Sequence, residues 1–214
     1  MYARFGKVKH IDASKGVAEV FEATKKAMLP QVFFMIGPKG SGKFTVAREL
    51  ANRTNMVVLN FDHFLREHHF DLNDYDNEEA TMALVRYLVN ETNPRVLIQD
   101  FPRNETQARL FIKNCVAPTE VFYIRCGKDM CQERLLEIGS GHPSYVPSAL
   151  LSKQVKRFYE TSGPLIAYLK KNTHFTEING EKILPNVLKD VYSVVEPTII
   201  HIRTGGNASN ELRK

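Results

Sequence analysis

The sequence predicts an α/β fold, a five-stranded parallel sheet with helices on both faces. Two observations carry that reading. Five short strand-like runs alternate along the chain with amphipathic helical patterns, as parallel strands joined by crossover helices require. The first run, Gln31–Ile36, is wholly apolar after its first residue, as a central strand buried on both faces should be.

The elements follow in order. The later strands are read at Met56–Asn60, Arg95–Asp100, Glu120–Cys126 and Thr173–Asn179, the last alternating enough to sit near an edge. Helical patterns cover Lys43–Arg53, Glu78–Val89, Thr106–Asn114, Met130–Ile138 and Ser148–Thr161. Gly163-Pro164 is expected to break the last of these before a second piece, Leu165–Lys171. One domain thus spans residues 30–196, followed by a polar Gly/Asn-rich tail, 197–214, expected to be disordered. Residues 1–29 stand apart, with a strand at Gly6–Ala13 and a helix at Val17–Leu29 ending at Pro30. Slid 167 residues along, Lys7–Ile11 lies over His174–Ile178, Lys15 over Lys182, and Val20-Phe21 over Val187-Leu188. Both stretches read strand, turn, amphipathic helix. On that match, residues 1–29 are the closing strand and helix of a preceding copy of the fold.

Bulk properties exclude several classes. With 43% hydrophobic and 25% charged residues, the chain is neither disordered nor fibrous. No apolar run reaches the roughly 18 residues that a membrane span needs, and MYARFGKVKH lacks the apolar core of a secretory signal. Three cysteines without a CxxC pair argue against a disulfide framework and for a reducing, cytoplasmic setting. Cys115 and Cys126 belong to apolar runs and are expected to be buried free thiols. A net charge of +5 comes without a nucleic-acid recognition module, so it is read as a surface that grips phosphates.

The chemistry concentrates after the first strand. Gly37-Pro-Lys39-Gly40-Ser41-Gly42-Lys43-Phe44-Thr45 joins a buried strand to a helix, the context that gives a G-x4-G-K pattern physical meaning. Glycines let successive backbone N–H groups converge on phosphate oxygens, and the helix N-terminus adds donors and a positive dipole end. Lys43 is positioned to reach the β- and γ-phosphates of a nucleotide. Phe44 stands where the general motif has Ser or Thr and can ligate nothing, so any hydroxyl contact falls to Thr45. Its ring is expected to press on the phosphate loop.

Gly40-Ser-Gly-Lys43-x-Thr45 resembles the loop of adenylate kinases, G-x-P-G-S-G-K-G-T. Asp100-Phe-Pro-Arg103-Asn-Glu-Thr-Gln107-Ala108 is similar to the D-G-F-P-R-T-x-x-Q-A segment of adenylate and UMP-CMP kinases. The resemblance implies a P-loop NTPase fold with a short lid, about 138–147, and a reduced acceptor insert, about 60–94. It implies a nucleoside monophosphate kinase that transfers the γ-phosphoryl of ATP to AMP or a related monophosphate, with Mg2+. By it, Gly37, Lys39, Gly40, Ser41, Gly42, Lys43, Thr45 and Arg134 hold ATP, while Arg66, Arg103 and Gln107 hold the acceptor. Lys43, Asp100, Arg103 and Arg134 are the catalytic set, and Thr45 and Asp100 serve the metal. Either Gln99 replaces the family's aspartate and Asp100 its glycine, or one residue is deleted. The carboxyl end of a strand favours Asp100 for the role.

The sequence also departs from that pattern. Asn60-Phe-Asp62-His63-Phe-Leu65-Arg66 matches the family's S-T-G-D-L-L-R only at its end, with Asp62 and His63 in place of glycine and aspartate. Glu133-Arg134-Leu-Leu resembles the lid entry, but the next two arginines appear as Ile138 and His142. A further one falls near Gln154, with Lys153, Lys156 and Arg157 within a turn. Each arginine missing at a transferring phosphoryl can cost on the order of 10³–10⁵ in rate. The alternative is therefore a degenerate nucleotide-binding domain with a scaffolding role in a multi-domain assembly, cytoskeletal or ciliary if the parent carries tandem domains. A third reading, a small-metabolite kinase, rests on Asp62-x-Phe64 and leaves Arg103 and Gln107 unexplained. Partners are ATP or ADP and a nucleoside monophosphate, with no nucleic acid and no membrane. The chain is read as a monomer or as part of a tandem-domain protein.

Overall fold

The computed structural model describes residues 10–74, 76–139 and 148–204. Strand β1 (Gln31–Ile36) pairs with β3 (Arg95–Gln99) on one side and β4 (Glu120–Arg125) on the other. Beyond β3 lies β2 (Val57–Asn60), and beyond β4 lies β5 (Phe175–Asn179), giving the order β2-β3-β1-β4-β5 with every pair parallel. The wholly apolar run is the central strand, and the alternating one is an edge, as the patterning predicts.

Side chains of the strands divide between two cores. Val32, Phe34, Val96, Ile98 and Val121 face one layer, built from α3 (Phe61–Glu67), α4 (Glu78–Val89), α5 (Glu105–Asn114) and α7 (Ser148–Asn172). Phe33, Met35, Leu97, Phe122 and Ile178 face the other, formed by α2 (Lys43–Thr54) and α8 (Leu184–Thr204). Both faces are covered because a parallel sheet has no solvated side. Helix α6 (Lys128–Gly139) joins α7 through Cys126, Cys131 and Val155 at the margin. Among the described residues no helix is long and apolar enough to cross a membrane.

The break expected at Gly163-Pro164 does not occur: α7 runs unbroken through Pro164. Leu165 and Leu169, after the proline, are buried in the same core as Phe34. Gly163 and Pro164 face solvent, as does Glu160, whose carbonyl loses the helical N–H that a proline cannot supply. Packing of the apolar face outweighs the local penalty. Helix α8 likewise passes Pro197 and runs to Thr204, beyond the boundary drawn at 196, whereas residues 205–214 of the tail lie outside the described residues. The seven-residue α3 is an element the sequence reading lacks.

The N-terminal helix α1 (Val17–Met28) is present. The strand read before it begins at residues 6–9, outside the described residues, and residues 10–13 form none. Leu29 packs against the first core, while Val17, Phe21 and Met28 are exposed. Under the 167-residue shift, Phe21 and Met28 lie over Leu188 and Val195, which are buried on α8.

Candidate nucleotide-binding site

The loop between β1 and α2 sits at the carboxyl ends of β1 and β3, where open parallel sheets bind ligands. Two of its glycines are required by what surrounds them. Gly37 has φ +153°, and a Cβ there would lie 2.6 Å from the Ile124 carbonyl oxygen. Gly40 has φ +84°, and its Cβ would lie 2.4 Å from the carbonyl oxygen of Cys131. The loop is thus clamped between β4 and α6, a fit no side chain permits. Ser41 is buried, and among the described residues its Oγ has no hydrogen-bond partner. A buried hydroxyl without a partner is costly unless a ligand supplies one.

Lys43, the first residue of α2, is buried and folds back on its own loop, donating to the Pro38 carbonyl at 3.0 Å. Its Nζ is 3.1 Å from Asp100 Oδ1. Asp100 holds φ +60°, so its backbone adopts the conformation the resemblance assigns to a glycine while its carboxylate reaches the loop. Gln99, one residue earlier, donates to the Lys43 carbonyl and ties β3 to the start of α2. The carboxylate that meets the loop lysines is thus that of Asp100. Burial opposes its ionisation, but Lys43 and then Lys39 outweigh that and hold the carboxyl down to about 2. Burial lowers the Lys43 ammonium despite Asp100, whereas Asp100 and Asp62 raise Lys39 against the same burial penalty.

Three asparagines set the side that the resemblance assigns to the acceptor. Asn60, Asn77 and Asn104 each cap a helix by accepting an N–H three residues on, fixing the starts of α3, α4 and α5. Phe101 packs edge-on against Phe34, Phe61 and Phe111, with centroids 5.4, 4.9 and 5.3 Å away, and so anchors the turn that carries Arg103. Arg103 is nearly buried, lies over the Phe61 ring and donates to the Leu72 carbonyl at 2.7 Å. It is also ion-paired with Asp62. Lys39 joins this pair to the loop, 2.9 Å from Asp62 Oδ2 and 3.2 Å from Asp100 Oδ2.

The structure therefore unites Lys39, Lys43, Asp100 and Arg103. Arg134 is near them: its Nη1 donates to the Gly180 carbonyl at 2.9 Å and lies 4.0 Å from where a Cβ on Gly42 would be. Arg66 is exposed on α3 and takes no part in the cluster. Gln107 is buried, and its Oε1 accepts the Arg103 N–H at 2.9 Å, so that oxygen fixes the arginine's backbone. Thr45 is half-buried in the first turn of α2. The expectation that Phe44 presses on the phosphate loop is corrected. Phe44 is 63% exposed and lines a cavity of about 550 Å³ along β2 with Arg48, Asn52, His63, Tyr87 and Gln99, to which Gly37–Lys43 contribute nothing. Phe44 follows Lys43 by about 100° around the helix and so points away from the loop.

Of the lid, residues 140–147, including His142, lie outside the described residues. Lys156 pairs with Glu160 at 3.6 Å on the exposed side of α7. Asp62, noted in the sequence only as a substitution, proves central to the ion network. Gly180, after β5, was missed altogether; a Cβ there would meet the Ser41 carbonyl oxygen at 2.9 Å. Its one signal was a glycine directly after a strand's carboxyl end.

A parallel sheet, a glycine loop opening a helix, and a buried lysine paired to an aspartate just after the neighbouring strand define the class: a P-loop nucleotide-binding protein. Residues 32–161, more than half of the chain, match the model of the AAA domain, and the chain belongs to that family. It is 26% identical to a uridylate kinase of Saccharomyces cerevisiae over 78% of this chain and 92% of that protein. It is 27% identical to UMP-CMP kinase 3 of Arabidopsis thaliana over 78% and 90%, and 22% identical to adenylate kinase isoenzyme 1 of Gallus gallus over 81% and 98%. The chain is thus similar, at 22–27% identity, to proteins named as uridylate, UMP-CMP and adenylate kinases.

Proposed function

We propose that the protein transfers the γ-phosphoryl group of ATP to a nucleoside monophosphate, AMP or a pyrimidine counterpart. The observation that carries this reading is the convergence of Lys43, Asp100, Lys39 and Arg103 at adjacent strand ends, with Arg134 beside the loop. In the mechanism, loop amides and Lys43 hold the donor's phosphates, Arg134 flanks the donor, and Arg103 holds the acceptor's phosphate. Positioning and charge neutralisation supply most of the catalysis, so no general base is required. Arg66 and Gln107 complete the acceptor side once it closes.

The residues present suit magnesium. Asp100 is held ionised, a hard oxygen ligand, and Thr45 offers a hydroxyl one turn into α2. Among the described residues no three His, Cys, Asp or Glu side chains form a metal cage, so the ion would arrive with the nucleotide. When bound, it would neutralise charge between the phosphates.

A coupled assay with ATP and each of AMP, CMP, UMP and GMP tests the proposal, and absence of turnover with all four would sink it. The second reading, a nucleotide-binding domain with a scaffolding role, is favoured by Ile138, His142 and Gln154 where arginines are expected. The exposed Val17, Phe21 and Met28 support residues 1–29 as the end of a preceding domain, a tandem arrangement in which such a role fits. Nucleotide binding without transfer would decide for it. We place its site of action in the cytoplasm, within a cytoskeletal or ciliary assembly if the parent carries tandem domains.

A further inference from the structure

We propose that Asp62 stands in for the acceptor's phosphate in the empty site and makes acceptor binding depend on prior binding of the donor. The inference rests on the kinase reading above and adds an order of binding to it. Arg103, the acceptor-side cation, has a side chain only 8% exposed, and a guanidinium so deep needs an anionic partner when the site is empty. Asp62 provides one. It projects from the first turn of α3, which Asn60 caps and which Phe61 and Leu65 root in the core. Its two oxygens bridge two cations: Oδ1 pairs with Arg103, and Oδ2 accepts from Lys39 at 2.9 Å. A phosphomonoester would take the Arg103 donors in the same manner, leaving Lys39 to the phosphates in the loop.

The second cation links the two halves. Lys39 belongs to the phosphate loop and also binds Asp100 at 3.2 Å, while Lys43 binds the other Asp100 oxygen at 3.1 Å. A polyphosphate in the loop draws on Lys39 and Lys43, so Asp62 then keeps only Arg103. A carboxylate held by one cation and partly exposed yields to a phosphate carrying up to twice its charge. Without the donor, the acceptor must displace a carboxylate held from both sides. Donor and acceptor are therefore positively coupled, and by linkage each tightens the other equally.

Calorimetric titration of AMP, CMP, UMP and GMP, with and without a non-hydrolysable ATP analogue and Mg2+, tests this on wild type, Asp62→Asn and Asp62→Ala. Thermal melts establish that each variant folds, and the alanine variant serves should asparagine still bridge the cations. In wild type the analogue should tighten monophosphate binding by about tenfold or more. In a folded variant the monophosphate should bind about tenfold more tightly than in wild type without the analogue, and the coupling should shrink to within about twofold. Unchanged or weaker binding in both variants would overturn the proposal while leaving the kinase reading intact if turnover persists. Tighter but unproductive binding would support the Asp62 role and sink the kinase reading instead. If no monophosphate binds to any of the three proteins, both fail.

Discussion

The donor and acceptor sides of the site are built from the same charges but held differently. On the donor side, the loop is clamped by Ile124 and Cys131, and Lys43 rests against Asp100 and the Pro38 carbonyl. On the acceptor side, Arg103 is saturated by the protein itself, and Arg66 stands outside in solvent. One half is pre-formed for a ligand, while the other is satisfied without one. Pre-organised electrostatics favour catalysis, whereas internal ion pairs favour the stability of the empty protein.

Removing the donor-side charge should have the largest effect. Lys43→Met is expected to lower kcat/KM on the order of 10³-fold, read in the coupled assay. Activity within about tenfold of wild type would place the chemistry elsewhere. Within the acceptor side, Arg103→Ala should cost on the order of 10²-fold in kcat/KM and Arg66→Ala only a few-fold, in keeping with their burial. Equal losses would mean that α3 moves inward to bring Arg66 to the acceptor.

Stability tests the comparison from another direction. Asp100→Asn leaves Lys43 buried without its carboxylate and should destabilise the protein by about 3 kcal/mol in urea titrations. ATP should restore more stability to this variant than to wild type, because its phosphates replace the lost charge. The smallest effect is on pH dependence. Asp100 titrates at about 2, below its ordinary 3.8, so its contribution is fully present above pH 4 to 5 and is lost as pH falls through about 2. Acid-unfolding curves should show that slope in wild type and a shallower one in Asp100→Asn.

Much of this was legible in the sequence for physical reasons that can be named. Gln31–Ile36 is apolar throughout because both its faces are buried, and a strand so placed admits no other pattern. The phosphate loop is legible because its close packing leaves room only for glycine. Pro164 misled because its cost is local and visible, whereas the compensating burial of Leu165 and Leu169 depends on partners far along the chain. Phe44 misled because adjacency to Lys43 in sequence is not adjacency around a helix. The Asp62–Arg103 pair spans 41 residues, and no local pattern announces which carboxylate will meet which guanidinium.

The three thiols turn the packing of the loop into a clock. All three are buried and free, and burial pushes Cys115 up to about 11 and Cys131 up to about 12, leaving almost no thiolate at neutral pH. A thiol reagent can therefore modify them only during moments when the structure opens. Because the Cys131 carbonyl backs Gly40, its labelling times the parting of α6 from the phosphate loop, while Cys115, within the first core, times opening of the main body. The interval between the two rates, with and without nucleotide, would show whether a ligand steadies the loop alone or the whole fold.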